Sequence, residues 1–584
     1  MVTTGLCSVL IFFISWNLGF GFKSVCQRLF HTKIHACIFE IFLSGVIVSY
    51  IYFNICSFFL AVDYKVLFPI FLLSVFITLI GRPFKTPFRA LVQLIKKLKN
   101  EYLFLAVFLL SVLFVYWIIP PINGDSVGYH FLTIRWYEAF KVIPGLANLH
   151  GRFGFNPATF IISAPYAFTG ILNQSLYAFN GVLILVFFLW ILNMVASIQT
   201  KTVKIILIAL MLLILRITLP NISSPSPDLL TALSAGYILI RLFLLARKSD
   251  FQFSRVFILF FILFFVVTIK LTLAPLLLFL PYLLLKSGGK FLHMKTLGFM
   301  GVLFVLIIIP WLIRNYLLSG YFNYPLPFSD FGSLSPDWKV PREVINLDYI
   351  NARFEPYQSK NMNAIVNSTV VQRTKELFAG FFFEGERHIL RWVEVLLALF
   401  SPIYWLLIRA KKIYFARSLM EVWVIIYIAF LIWLINDPEY RFGEIYIIFC
   451  YGIPFFLLFS YFFNDIRNNI FYLAAPAFFA IFSIYFEVKA FNFYQTSYPF
   501  SLKDCWWLPL KSIDYKPDQA ASFTYMLLND GKTKIYLGDN HHLCINAPSP
   551  CMPWYYGQIE MRGKEMEDGF RISKNGVNTD FFRK

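Results

Sequence analysis

Stretches such as LFLAVFLLSVLFVYWII (103–119) and VLILVFFLWILNMVASI (182–198) carry no charge over a length close to a bilayer crossing. A helix needs about 20 predominantly apolar residues to span hydrocarbon, and a water-soluble core has no use for many runs of that kind. Windows bounded by Pro, Gly and charges predict about fourteen spans. They fall near 5–21, 36–55, 64–81, 102–120, 176–198, 204–219, 229–246, 255–269, 271–285, 296–318, 389–408, 418–436, 441–462 and 469–488. The chain reads as an all-α polytopic membrane protein. Its make-up agrees: 59% of the 584 residues are hydrophobic and only 14% charged, where soluble domains carry about 25% charged residues.

The net charge of +19 invites a nucleic-acid partner, and its distribution argues against one. Lys and Arg recur in the short loops 22–35, 82–99, 199–204, 247–255, 286–295, 409–417 and 463–468. These loops alternate correctly with the spans, so they share the cytoplasmic side and meet anionic lipid. Loops 121–175, 220–228, 320–388, the turn 437–440 and the tail 489–584 then lie outside. The first residues, MVTTGLCSVLIFFISWNLGF, lack a basic n-region and a small-residue cleavage site, and read as a first span.

Three regions follow: N-terminal spans over 1–101, a central membrane region over 102–488, and a tail over 489–584. The tail contains a strand-like KTKIYLGDNH and reads as a small α/β domain or strap. Cys7, Cys26, Cys37, Cys56 and Cys450 lie in or beside apolar segments, where a thiol fills space. Cys505, Cys544 and Cys551 fall in the tail, and two of the three can pair in an oxidising compartment with either connectivity.

The residues with chemistry gather on the outer side. GDSVGYHFLTIRWYEAFKVIPGLANLHGRFGFNP (124–157) holds Asp125, Tyr129, His130, His150, Arg152 and Asn156. From Tyr129 to Phe140 the apolar spacing predicts an amphipathic helix in the interface, with Arg135, Glu138 and Lys141 on its solvated face. Asp125 sits at the membrane lip, where low dielectric favours a proton-accepting carboxylate. Asp228, after a Ser/Pro turn, suits either a helix first turn or a site shared with Asp125. Two outer carboxylates can also hold a divalent cation. Lys270 interrupts hydrocarbon in VVTIKLTLAP, and an intramembrane cation is a functional hypothesis by default. Arg314 and Arg441 stand at outer span ends, where a guanidinium either snorkels or binds phosphate.

The stretches GDSVGYH, SPSPD, TIKLT, PWLIRNYLLSG and DPEYRFG, in that order and on one side, resemble the C-superfamily of glycosyltransferases, multi-pass enzymes that use polyprenyl-phosphate sugars. PGLANLHGRFGFNP, CWWLPLKS and RGKEMEDGFRISKNG are similar to a narrower group of bacterial multi-pass membrane proteins. The resemblance implies a GT-C-like bundle in the bacterial cytoplasmic membrane with a periplasmic active face. It implies inverting transfer from a lipid-phosphate sugar to a glycan, lipid or protein acceptor. Asp125 would be the general base, Asp228 would orient the acceptor or a metal, and Lys270, Arg314 and Arg441 would hold the leaving phosphate. Tyr129, His130, His150, Arg152 and Asn156 would line the acceptor side. A transporter or flippase of a lipid-linked sugar is the competing reading. It would place polar residues near the midplane of several helices, whereas here they collect at one lip. A non-catalytic scaffold is the third, and it leaves Lys270 unexplained.

Overall fold

A computed structural model of the protein describes residues 1–81, 83–84, isolated positions between 92 and 114, 125–198, 201–330, 332, 335–354, 388–413, 415–436, 440–462, 506–508, 525–537, 551–552 and 557–577. It is mostly helical. Eight of the described helices are long and apolar enough to cross a membrane: Val2–Phe30, Ile38–Cys56, Tyr64–Gly81, Phe179–Ser197, Pro227–Lys248, Met294–Ser319, Arg417–Asn436 and Tyr440–Leu458.

Eight of the fourteen expected spans thus have a crossing-length helix among the described residues, and length and charge set the others apart. Phe253–Ile269 and Leu271–Ser287 are helical but short. Lys201–Thr218 carries Lys201, Lys204 and Arg216 within its 18 residues. Residues 391–410 form two helices bent by 52°, which make a ninth crossing if they act as one. The predicted spans 102–120, in the main, and 469–488 lie outside the described residues.

Local sequence sets the helix ends. Cys37 and Glu40 form a reciprocal capping box at the start of Ile38–Cys56. Ser226 caps Pro227–Lys248, with Pro227 at the first helical position. Gly320, at φ 82°, ends Met294–Ser319. The first two helices touch backbone to backbone. A Cβ on Gly45 would lie 1.7 Å from the Ser15 carbonyl oxygen, and one on Gly19 would lie 1.7 Å from that of Ile41. Only glycine permits such an approach, the usual device of helix pairs in lipid.

Contacts between loops define two ends of the bundle. At one, His35 N–H donates to the Ser254 carbonyl at 2.8 Å, Ser249 bonds Ser418, and Lys286 pairs with Glu421 at 2.7 Å. Nearby, Glu40 is fully buried and meets the Tyr237 hydroxyl and the Arg241 guanidinium. At the other end, Val62 N–H donates to Tyr137 O, and Val142 N–H to Ser57 O. Val2 N–H reaches Trp506 O, and Gly145 N–H reaches Leu317 O.

The long loop after Asp125 is built differently from expectation. A π-helical turn, Ser126–His130, runs into an α-helix, Phe131–Ala139. Phe131, Leu132, Ile134, Trp136 and Tyr137 of that helix are all buried in protein rather than lying on lipid. Glu138, expected in solvent, is half-buried: its carboxylate accepts the Thr169 N–H at 3.1 Å and the Thr169 hydroxyl at 2.6 Å.

The described parts of the tail are strands with one short 3-10 turn. β1 (Tyr525–Leu527) pairs antiparallel with β2 (Lys534–Leu537), which pairs parallel with β3 (Cys551–Met552). β4 (Gly557–Met561) and β5 (Phe570–Val577) form an antiparallel hairpin. The hairpin docks on the loops: Phe570 N–H donates to Pro144 O at 2.9 Å. Asn148 Nδ2 donates to the carbonyls of Gly145, Trp338 and Phe570, tying three distant segments at one point. Cys551 is disulfide-bonded, and Cys505 and Cys544 lie outside the described residues.

Candidate functional site

The Ser/Pro turn before Asp228 is organised by one amide inside an apolar run. Asn180 Nδ2 donates to the carbonyls of Asn221, Ser224 and Ser226, at 3.2, 2.6 and 3.0 Å. Ser226 N–H donates to Ser224 Oγ, and that hydroxyl also bonds Ser126 Oγ. Ser126 follows Asp125 directly. A buried hydroxyl pair thus joins the loop of one predicted carboxylate to the turn of the other.

Two ion pairs complete the cluster. Lys270 Nζ lies 2.7 Å from Asp228 Oδ1, and Arg441 Nη1 lies 3.2 Å from Asp125 Oδ2. Lys270 stands at a helix break: its φ of −161° ends Phe253–Ile269, and a 3-10 segment with Pro275 follows. Proline cannot donate the N–H that a helix requires, so the break is written into the local sequence. Tyr446 pins it, its hydroxyl donating to Thr272 O at 2.9 Å.

Phe442 sits between the cations. Its ring centre is 3.3 Å from Lys270 Nζ and 4.8 Å from the Arg441 guanidinium carbon. A cation over an aromatic face is attracted by the ring quadrupole, so one side chain holds both positive groups. Asp228, Thr231, Leu273, Arg441, Phe442 and Glu444 line a cleft at this point.

His130 is 1% exposed, packed between the rings of Tyr129 and Phe160. Burial pushes its pKa down to about 4, with Lys270 and Arg152 adding to the effect and Asp125 and Asp228 opposing it. It is therefore a neutral imidazole over the physiological range. Burial, with Asp125 beside it, raises the Tyr129 phenol well above its ordinary value, so that hydroxyl keeps its proton. Arg152 lies over the rings of Tyr129 and Phe155.

Of the five expected charges, Asp125, Asp228, Lys270 and Arg441 come together. Arg314 is held in a separate set of contacts. It is 1% exposed, donates from Nε to Asn156 Oδ1 at 3.1 Å, and stacks 4.1 Å over the Tyr137 ring. The structure thus places Arg314 apart from the other four, among Asn156 and Tyr137. His150 and Asn156 lie in the packed interior. His150 is fully buried, and its Nδ1 accepts the Arg152 N–H. Asn156 exchanges hydrogen bonds with Trp311.

Among the described residues no group of three or more His, Cys, Asp or Glu is placed to hold a metal ion. Each carboxylate is met by a side-chain cation instead.

Residues 1–448 match the family model described as a domain of unknown function, DUF8201. The chain belongs to the DUF8201 family. No curated protein and no solved structure matches it. The DUF8201 region contains every member of the cluster, from Asp125 to Tyr446, and leaves the strands of the tail outside.

Two residues of this DUF8201 site escaped sequence reasoning. Asn180 had a usable signal, an amide near the outer end of a lipid-length apolar run. Phe442 had none, since a ring's contact with two cations from different helices exists only after folding.

Proposed function

We propose that the cleft is the active site of a membrane glycosyltransferase that uses a polyprenyl-phosphate sugar. The observation that carries this reading is the meeting of two carboxylates and two cations, from four distant segments, at one end of an apolar bundle. Asp125 takes the proton of an acceptor hydroxyl. The acceptor oxygen bonds to the anomeric carbon from the face opposite the phosphate, and the bond from that carbon to the phosphate oxygen breaks with inversion. Lys270 and Arg441 hold the charge left on the lipid phosphate, where fixed cations outside bulk water act most strongly. Asp228 keeps Lys270 in place and orients the acceptor, and Tyr129 and Arg152 flank it.

The basic loops 22–35, 247–255, 286–295 and 409–417 belong to the opposite end, which supports a periplasmic site in a bacterial cytoplasmic membrane. The test is reconstitution with a panel of polyprenyl-phosphate sugars, following release of free lipid phosphate. Release by the native protein and none by Asp125→Asn, at equal thermal stability, is the expected result. Undiminished release by Asp125→Asn removes that residue from the mechanism.

The broken helix at Lys270 favours one other reading, a flippase for a lipid-linked sugar. Passage of intact donor across the bilayer without cleavage would establish it instead.

A further inference from the structure

We propose that Asp125 and Asp228 are built-in competitors for the phosphate group. They occupy the two cations until a phosphate ester displaces them, so that the Asp125 carboxylate is released to the acceptor only once the donor is seated. This deepens the reading above and rests on it for the identity of the anion.

The pairs are made to exchange. Arg441 meets Asp125 through one nitrogen and one oxygen rather than the two parallel bonds a guanidinium can make. Its side chain is 40% exposed and that of Asp125 29%, so water screens the attraction and little holds the pair closed. Lys270 offers its ammonium to a single oxygen of Asp228. An ammonium has three donors, more than the one bond to Asp228 requires. A phosphate ester brings more oxygens and more negative charge than either carboxylate.

Phe442 makes the exchange concerted. Both cations already rest against its ring, so they can turn to a common ligand without the backbone moving. With Arg441 drawn to phosphate, the Asp125 carboxylate is released from that ion pair and can turn to an acceptor hydroxyl. Substrates then add in a fixed order, the phosphate-bearing one first.

The test uses the full-length protein in lipid nanodiscs, with farnesyl phosphate as probe and farnesol as the uncharged control. If internal carboxylates compete with the probe, their removal tightens binding. Asp125→Asn is expected to bind farnesyl phosphate about three- to tenfold more tightly than the native protein, and Arg441→Gln at least about tenfold more weakly. Misfolding cannot produce a gain in affinity. Where Asp125→Asn does not fold, Asp228→Asn carries the same expectation. Affinity that is equal or lower in the folded Asn variant overturns the proposal, whether or not the native protein transfers sugar. Tighter binding without sugar transfer by the native protein leaves the competition standing and removes the glycosyltransferase reading.

Discussion

Lys270 Nζ is 2.7 Å from Asp228 Oδ1 and 3.3 Å from the centre of the Phe442 ring. The ammonium is therefore satisfied on two sides by groups from two other helices, at the point where its own helix is broken. With the lysine and aspartate side chains only 23% and 19% exposed, this pair is better shielded than that of Arg441 and Asp125, and it anchors the cleft.

Lys270→Met leaves Asp228 without its counter-ion in a half-buried place. Stability falls by about 1–2 kcal/mol, read as a drop in melting temperature in detergent. The double variant Lys270→Met/Asp228→Asn recovers most of that loss, because neither charge is then stranded. Transfer activity is absent from both. A double variant no more stable than the single one would show that the pair contributes little to the fold.

Gly45→Ala drives a methyl group into the Ser15 carbonyl and separates the first two helices. Overpacking costs about 1–3 kcal/mol where side chains can yield, and here the obstacle is backbone. The yield of folded protein on size-exclusion chromatography falls sharply. Gly5→Ala, with open space at that position, is the control and leaves the yield unchanged.

Arg314→Ala removes the stack on Tyr137 and the bond to Asn156, and stability falls by about 2–4 kcal/mol. Arg314→Lys rescues little of it, since an ammonium lacks the planar fork. In the fraction that remains folded, affinity for farnesyl phosphate stays within about twofold of native. A tenfold loss there would return Arg314 to the phosphate site.

His130 and Glu138 give opposite pH dependences to stability. The pKa of His130 is lowered to about 4 by burial, so the unfolded chain takes up its proton first on acidification. Its contribution is full above about pH 6.5 and declines as pH falls toward 4. The pKa of Glu138 is raised to about 7, with burial the largest cause and Thr169 opposing it. Its contribution is full below about pH 4.3 and is lost as pH rises toward 7. The two trends offset each other between about pH 4.3 and 6.5, where both windows overlap. His130→Asn should leave a melting temperature that falls with rising pH in that window, and Glu138→Gln one that rises. Parallel profiles for both variants would contradict these assignments.

Much of the fold was legible because lipid imposes a length and a polarity on every crossing, and both are properties of contiguous residues. Seven of the eight long described helices fall within a few residues of an expected span, while Val2–Phe30 runs nine residues past the expected end at 21. The break at Lys270 was legible for the same reason, a charge and a proline in one short run. Of the other six expected spans, two lie mainly or wholly outside the described residues, and four fall on helices that are short, charged or bent. Tail strands came through only at KTKIYLGDNH, since the partners that complete a sheet are far away in the chain.

The sequence alone determined a helical membrane protein, its alternation of basic and polar loops, and five charged residues with a claim to chemistry. The tertiary structure decided that Asp125 and Asp228 share one place, that Lys270 and Arg441 neutralise them across Phe442, and that Arg314 does not belong with them. Hydrophobic length is a local quantity that one segment carries entire. An ion pair between residues hundreds of positions apart depends on how the helices pack, and packing is a property of the whole chain.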